Sequence, residues 1–129
     1  MLTVVAALAV GLWRRRTDGR LRAPADSAVL DAAALGAPLG SQATLVQFSA
    51  DFCQPCRAAR QVLADAAGAP GIAHVEVDAA DRDDLVRRFA VRRTPTLLVL
   101  DAGGRVVRRA SGVPAPAEVR AALAAAGVR

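Results

Sequence analysis

Cys53 and Cys56 are the only cysteines in the 129-residue chain, and Gln54 and Pro55 separate them. Two thiols this close can cycle between dithiol and disulfide, because the second can displace whatever the first has captured. A β-type run over 44–48 (Thr-Leu-Val-Gln-Phe) comes just before the pair, and a helix-type run over 57–67 comes just after. A C-x-x-C between a strand and a helix is a redox signature. That placement predicts Cys53 at a helix N-terminus, where unpaired N–H groups and the positive end of the helix dipole stabilise a thiolate. The thiolate is the form that attacks a disulfide. Cys56, about one turn further on, is placed to resolve the product. Pro55 fits the first turn, where its missing N–H costs nothing.

Two other readings compete. A purely structural disulfide closing so short a loop stabilises a fold by only about 2 kcal/mol in the loop-entropy model. A zinc site wants four protein ligands, or three plus water. The two cysteines and the lone His74 supply three at most, and nothing in the spacing makes them converge. No metal is expected.

The elements that must hold the pair follow from pattern. Residues 27–30 read as a short first strand and 31–35 as a stunted helix ended by Gly36 and Pro38. The unbroken β-type run over 44–49 predicts a buried central strand. The helix over 54–67 has Ala59, Val62, Leu63 and Ala66 on one face and Arg57, Arg60 and Ala64 on the other. Gly68 and Pro70 end it. Residues 72–78 read as a strand. Asp81, three residues before Asp84, predicts a capped start for a helix carrying Leu85, Val86 and Phe89. Residues 96–100 and 105–110 read as a hairpin turning at Gly103-Gly104, and Pro116 opens a last helix.

Phe48-Ser49-Ala50-Asp51-Phe52-Cys53-Gln54-Pro55-Cys56-Arg57 resembles the active-site segment of the thioredoxin family, with Phe52 and Gln54 where the family usually has tryptophan and glycine. Val91-Arg92-Arg93-Thr94-Pro95-Thr96 resembles the segment where that family sets a cis-proline opposite its cysteines. The resemblance covers about residues 27–129. It implies an α/β thioredoxin fold, a central mixed β-sheet flanked by helices on both faces. It also implies a cis Thr94–Pro95 bond, with Pro95 near the disulfide and the Thr94 backbone pairing with substrate chain. Phe52, Gln54, Pro55 and Gly112 are then the supporting and substrate-contacting positions. Gln47 departs from the pattern: thioredoxins commonly keep a buried aspartate there to help move the proton of the second cysteine. A glutamine cannot take up a proton at neutral pH. His74 aligns with a lysine of the family and is a second candidate proton-transfer helper, against the plain reading of a half-exposed strand histidine. Arg57 and Arg60 flank the site as candidates to stabilise the thiolate or attract acidic partners.

Residues 1–13 carry no charged side chain, and Arg14-Arg15-Arg16 follows. A secretory signal would put its charge before the apolar run. The expectation is therefore a short single-pass membrane anchor over 1–13, a basic linker over 14–26 and the redox domain over 27–129. The arginines then set the domain on the cytoplasmic side. The alternatives are the extracytoplasmic face, or a tail on a soluble cytoplasmic protein. The net charge of +5 comes from 17 arginines and no lysine, but aromatic residues make up only 3 % of the chain, so no nucleic-acid partner is expected.

The functional expectation is a thiol–disulfide oxidoreductase that works through a mixed disulfide. Its C-x-P-C resembles reducing members of the family, so a protein-disulfide reductase is favoured. Its partners are protein disulfides and an unidentified thiol reductant. It needs no cofactor beyond the redox-active disulfide Cys53–Cys56, and the domain is monomeric. Two rivals stand beside it: an extracytoplasmic reductase of the kind that serves cytochrome maturation, and a redox-inactive docking module.

Overall fold

The computed structural model describes residues 1–129. Helix α1 (Leu2–Thr17) leads, followed by α2 (Ala32–Leu35), β1 (Ala43–Ser49), α3 (Gln54–Ala66), β2 (Ile72–Asp78) and α4 (Asp83–Arg88). Strands β3 (Thr96–Asp101) and β4 (Val106–Ser111) come next, and α5 (Pro116–Ala125) closes the chain. The sheet order is β2-β1-β3-β4, with β1 parallel to β2 and antiparallel to β3. This is the mixed sheet flanked by helices that the resemblance implies.

Every residue of β1 is buried, and the period-two alternation of a strand divides them between two cores. Ala43 and Leu45 join Ala59 and Leu63 of α3 and Val119, Ala122 and Leu123 of α5. Val46 and Phe48 join Leu85 and Phe89, together with Leu30 and Leu35. Gln47 shares parity with Leu45, so it lies on the α3 side of the sheet, beneath the start of that helix.

Several boundaries differ from expectation. The first strand over 27–30 reduces to a single bridge, Val29 to Arg105. Asp81 does not cap a helix. Helix α4 starts at Asp83 without a side-chain cap, because its N-cap position falls on Arg82, whose side chain has no acceptor; the guanidinium binds Asp84 and the carbonyls of Ala34 and Leu35.

The largest correction concerns the N-terminus. Helix α1 runs past Trp13 to Thr17, with Arg14, Arg15 and Arg16 in its last turn, where cations suit the negative end of the dipole. Its 16 residues span about 24 Å, short of the roughly 30 Å hydrocarbon core, and the arginines take up the final turn. No helix is long and apolar enough to cross a membrane. The expected single-pass anchor is not borne out, and assigning the domain to either face of a membrane loses its basis.

The expected linker is also not loose chain. Gly19 donates its N–H to the Ser111 carbonyl at 2.7 Å. Arg22 and Arg109 exchange backbone hydrogen bonds at 2.9 and 2.8 Å, covering the otherwise open edge of β4. Leu21 is buried in the α3–α5 core.

Candidate functional site

Strand β1 ends at Ser49, and a tight turn delivers Cys53 to the N-cap position of α3. Phe52 makes that turn with a φ of 56° and is fully exposed. Cys53 and Cys56 are joined as a disulfide. The two sulfurs are not equivalent. Cys53 is half-buried, whereas Cys56 is 1 % exposed. The Cys53 Sγ accepts the Cys56 backbone N–H at 3.3 Å, the contact that helps hold negative charge on an N-cap sulfur. Cys53 is thus the sulfur a partner can reach, and Cys56 is enclosed behind it.

The loop before β3 faces the pair. The Thr94–Pro95 bond is cis, as the resemblance implies. The Thr94 hydroxyl lies 3.5 Å from the Cys53 sulfur. The Thr96 hydroxyl donates to the Arg93 carbonyl at 2.7 Å and secures the turn. Gly112 donates its N–H to the Pro95 carbonyl at 2.9 Å, so the loop after β4 is fastened to the same point. Gln54 and Pro55 form the exposed first turn of α3.

The family model named Thioredoxin matches residues 31–125. The chain belongs to the thioredoxin family. It is 38 % identical over 63 residues to Thioredoxin-2 of Pyricularia oryzae, a match covering 48 % of this chain and only 37 % of that protein. Among solved structures it resembles a mutant thioredoxin of Halobacterium salinarum (TM-score 0.57, 24 % identity, 64 % of this chain and 73 % of that one). It also resembles oxidised mitochondrial thioredoxin 3 of Saccharomyces cerevisiae (TM-score 0.56, 20 % identity, 65 % and 78 %). At these identities the structural matches speak for the fold.

Gln47 and His74, the two departures from the family pattern, meet in a polar cluster behind the disulfide. The Gln47 amide nitrogen donates to the Cys56 carbonyl at 2.8 Å and to the Ser49 hydroxyl at 3.0 Å. Its oxygen faces His74 Nε2 at 3.1 Å. An amide oxygen only accepts, so the network assigns the proton to Nε2 of His74. Burial pushes the His74 pKa down, with the Glu76 carboxylate opposing and the Arg60 guanidinium adding to the shift. Arg60 grips Glu76 through two nitrogens, at 2.6 and 2.5 Å, and holds that carboxyl below its ordinary range. Gln47 therefore touches the backbone of Cys56 and not its sulfur. His74 stands one further residue away, and Arg60 is committed to Glu76 rather than to a thiolate. Arg57 is exposed. His74 is not gathered with the cysteines, and no cluster of three or more His, Cys, Asp or Glu side chains is placed to hold a metal.

Gly112 lies where the resemblance puts it, but its outer face is covered. With a φ of +96° it leaves room for Asp18, whose carboxyl group would sit 2.7 Å from any Cβ added there. Asp18 in turn pairs with Arg93, and Arg93 donates to the Ser111 carbonyl at 3.1 Å. No motif in the sequence pointed to Asp18 or Arg93; they meet only because residues 18–22 fold back along β4.

Proposed function

We propose that the chain is a thiol–disulfide oxidoreductase working as a protein-disulfide reductase. The observation that carries this reading is the asymmetry of the pair: an accessible Cys53 at the N-cap of α3, an enclosed Cys56 bonded to it, and the cis Thr94–Pro95 loop opposite. In the reduced protein the Cys53 thiolate attacks one sulfur of a partner disulfide, forming an S–S bond and expelling the partner's other sulfur as a thiolate. Cys56, once deprotonated, attacks the Cys53 sulfur and expels the second partner thiolate. Both partner thiolates take up protons. Two electrons have then passed to the partner, and Cys53–Cys56 is again a disulfide. An external dithiol regenerates the reduced pair.

A backbone N–H and the dipole of a 13-residue helix favour the Cys53 thiolate by about 0.3–1 kcal/mol in ordinary surface geometry. Gln47 has no proton to give or take at neutral pH. The Cys56 proton therefore leaves to water or to the departing partner thiolate.

The test is a Cys56→Ser variant incubated with a disulfide-bonded protein. It should accumulate a stable mixed disulfide through Cys53, and Cys53→Ser should form none. Absence of that adduct while wild type also fails to reduce the protein would favour a redox-inactive docking module. The reductase direction is checked by equilibrating the pair against glutathione and dithiothreitol. A potential near about −270 mV supports a reductase, and one near about −120 mV marks an oxidant.

A further inference from the structure

We propose that residues 18–22, folded against β4, form one wall of a basic cleft that selects disulfide partners carrying acidic residues close to the attacked cysteine. This rests on the oxidoreductase reading and adds a substrate class to it. An open cleft of about 390 Å³ lies between the end of α1 and the edge of β4, lined by Trp13, Arg20, Arg22, Arg93, Arg109 and Ser111, among others. None of its lining residues is acidic.

The four arginines differ in how far they are satisfied. Arg93 is held by Asp18 and the Ser111 carbonyl. Arg109 donates to the carbonyls of Phe89 and Ala90. Arg20 and Arg22 are exposed, and their side chains make no hydrogen bond or ion pair within the chain. Arg22 also stands directly across the backbone bridge from Arg109, and like charges opposite each other repel. An anion from outside would relieve that repulsion, and no group inside the chain does so.

The strand register ties the cleft to the redox site. Ser111 pairs with Thr96, next to Pro95, and Arg109 pairs with Leu98. The cationic pair thus lies about 10 Å along the strand from the cis-proline, a distance an extended peptide covers in three residues. Trp13 gives the cleft an apolar side that suits peptide better than a bare phosphate, and Arg93 is adjacent to Thr94. The occupant these features fit is a peptide segment of the disulfide partner, with Asp or Glu two to four residues from its cysteine.

The experiment uses the full chain and two disulfide-cyclised peptides, identical except for Glu or Gln at those positions. A neutral reagent, bis(2-hydroxyethyl) disulfide, reports the redox chemistry alone. Wild type should reduce the Glu peptide about fivefold faster in kcat/KM, the size of one or two exposed ion pairs. The preference should shrink as salt rises from about 0.05 to about 0.5 M. Arg20→Gln/Arg22→Gln should bring the ratio of the two peptides close to one, and Arg20→Glu/Arg22→Glu should invert it. Equal rates for the two peptides in wild type would overturn the proposal, as would a preference that survives both double variants. Failure to reduce the neutral disulfide would sink the oxidoreductase reading itself. Arginine-dependent binding to anionic vesicles, without peptide discrimination, would replace the peptide with a lipid surface and overturn the proposal.

Discussion

Two polar clusters flank the cysteine pair, and they are built on opposite terms. Behind α3, Gln47, Ser49, His74, Glu76 and Arg60 bond mainly to one another and to the Cys56 backbone, and no buried side-chain nitrogen or oxygen lacks a partner. In front, along the edge of β4, Arg20 and Arg22 line an open cleft with no partner in the chain. The bonds of Gln47 at the centre of that cluster are buried, and Arg60 and Glu76 at its exposed rim are spent on each other. In the open cationic cleft the reverse holds. One cysteine pair thus has behind it a cluster bonded to the Cys56 backbone and in front of it the surface proposed above to select its partners.

Breaking the inner cluster should have the larger effect. Gln47→Leu removes both amide hydrogen bonds, leaves the Cys56 carbonyl with its helical partner alone and the Ser49 hydroxyl with Glu76 alone, and takes the partner of the His74 ring N–H. Leaving one buried polar group unpaired costs about 1–3 kcal/mol. The expected loss for the variant is about 2–4 kcal/mol, since water can reach part of the site. Urea unfolding should show it as a lower midpoint at unchanged slope. A loss under about 0.5 kcal/mol, typical of a surface change, would mean the cluster is not the closed unit described above.

Breaking the outer wall should cost less stability and affect different readouts. Gly19 has a φ of +72°, and a side chain there would run into the Val113 carbonyl. Gly19→Val should therefore release residues 18–22 at a cost of about 1–3 kcal/mol. Trypsin should then cut after Arg20 and Arg22 faster than in wild type, and the preference for acidic peptides should fall. Reduction of the small neutral disulfide should hold, because the cysteines keep their surroundings. If the peptide preference persists while trypsin shows the arm released, the arm is not the selecting wall.

How much of this was legible in the sequence follows the range of the forces involved. The helix start at Cys53, the buried strand over 44–49 and the hairpin after Thr96 rest on local periodicity and turn residues, and each appears within a residue or two. The two cores follow from alternation along β1 once the register is known. The site's second half was readable only through likeness to a family, since nothing in Thr94-Pro95 itself announces a cis bond or a sulfur 3.5 Å away. What could not be read was tertiary. The apolar run over 1–13 looks the same in sequence whether or not the helix is long enough to span. The fold-back of Gly19, Leu21 and Arg22 onto β4 joins residues about 90 positions apart by backbone hydrogen bonds that carry no sequence signature. The Asp81 cap failed by one residue: the N-cap position is Arg82, whose guanidinium binds carbonyls in α2 more than 40 residues away.

The smallest expected effect tests whether the inner cluster senses pH. Burial holds the folded-state pKa of His74 below its ordinary 6.5. The unfolded chain therefore binds its proton first as pH falls, and protonation favours unfolding. The stability tied to neutral His74 is fully present above pH 6.5 and declines as pH drops through that value toward the depressed folded-state pKa. Glu76 acts lower down. Its carboxyl is held below the ordinary 4.5 by Arg60, so its share is intact above 4.5 and is lost as pH falls through its depressed pKa. Unfolding midpoints measured from about pH 8 to about pH 3 should show a decline beginning near 6.5 and a further one below 4.5. His74→Gln keeps an N–H that can donate to Gln47 but carries no titrating group. It should flatten the upper decline and leave the lower one, whereas Glu76→Gln should do the opposite. The upper decline surviving His74→Gln would remove the histidine from that role. The charges facing the cluster could not replace it there, because Arg60 from α3 keeps its charge throughout and Glu76 from β2 acts only below 4.5.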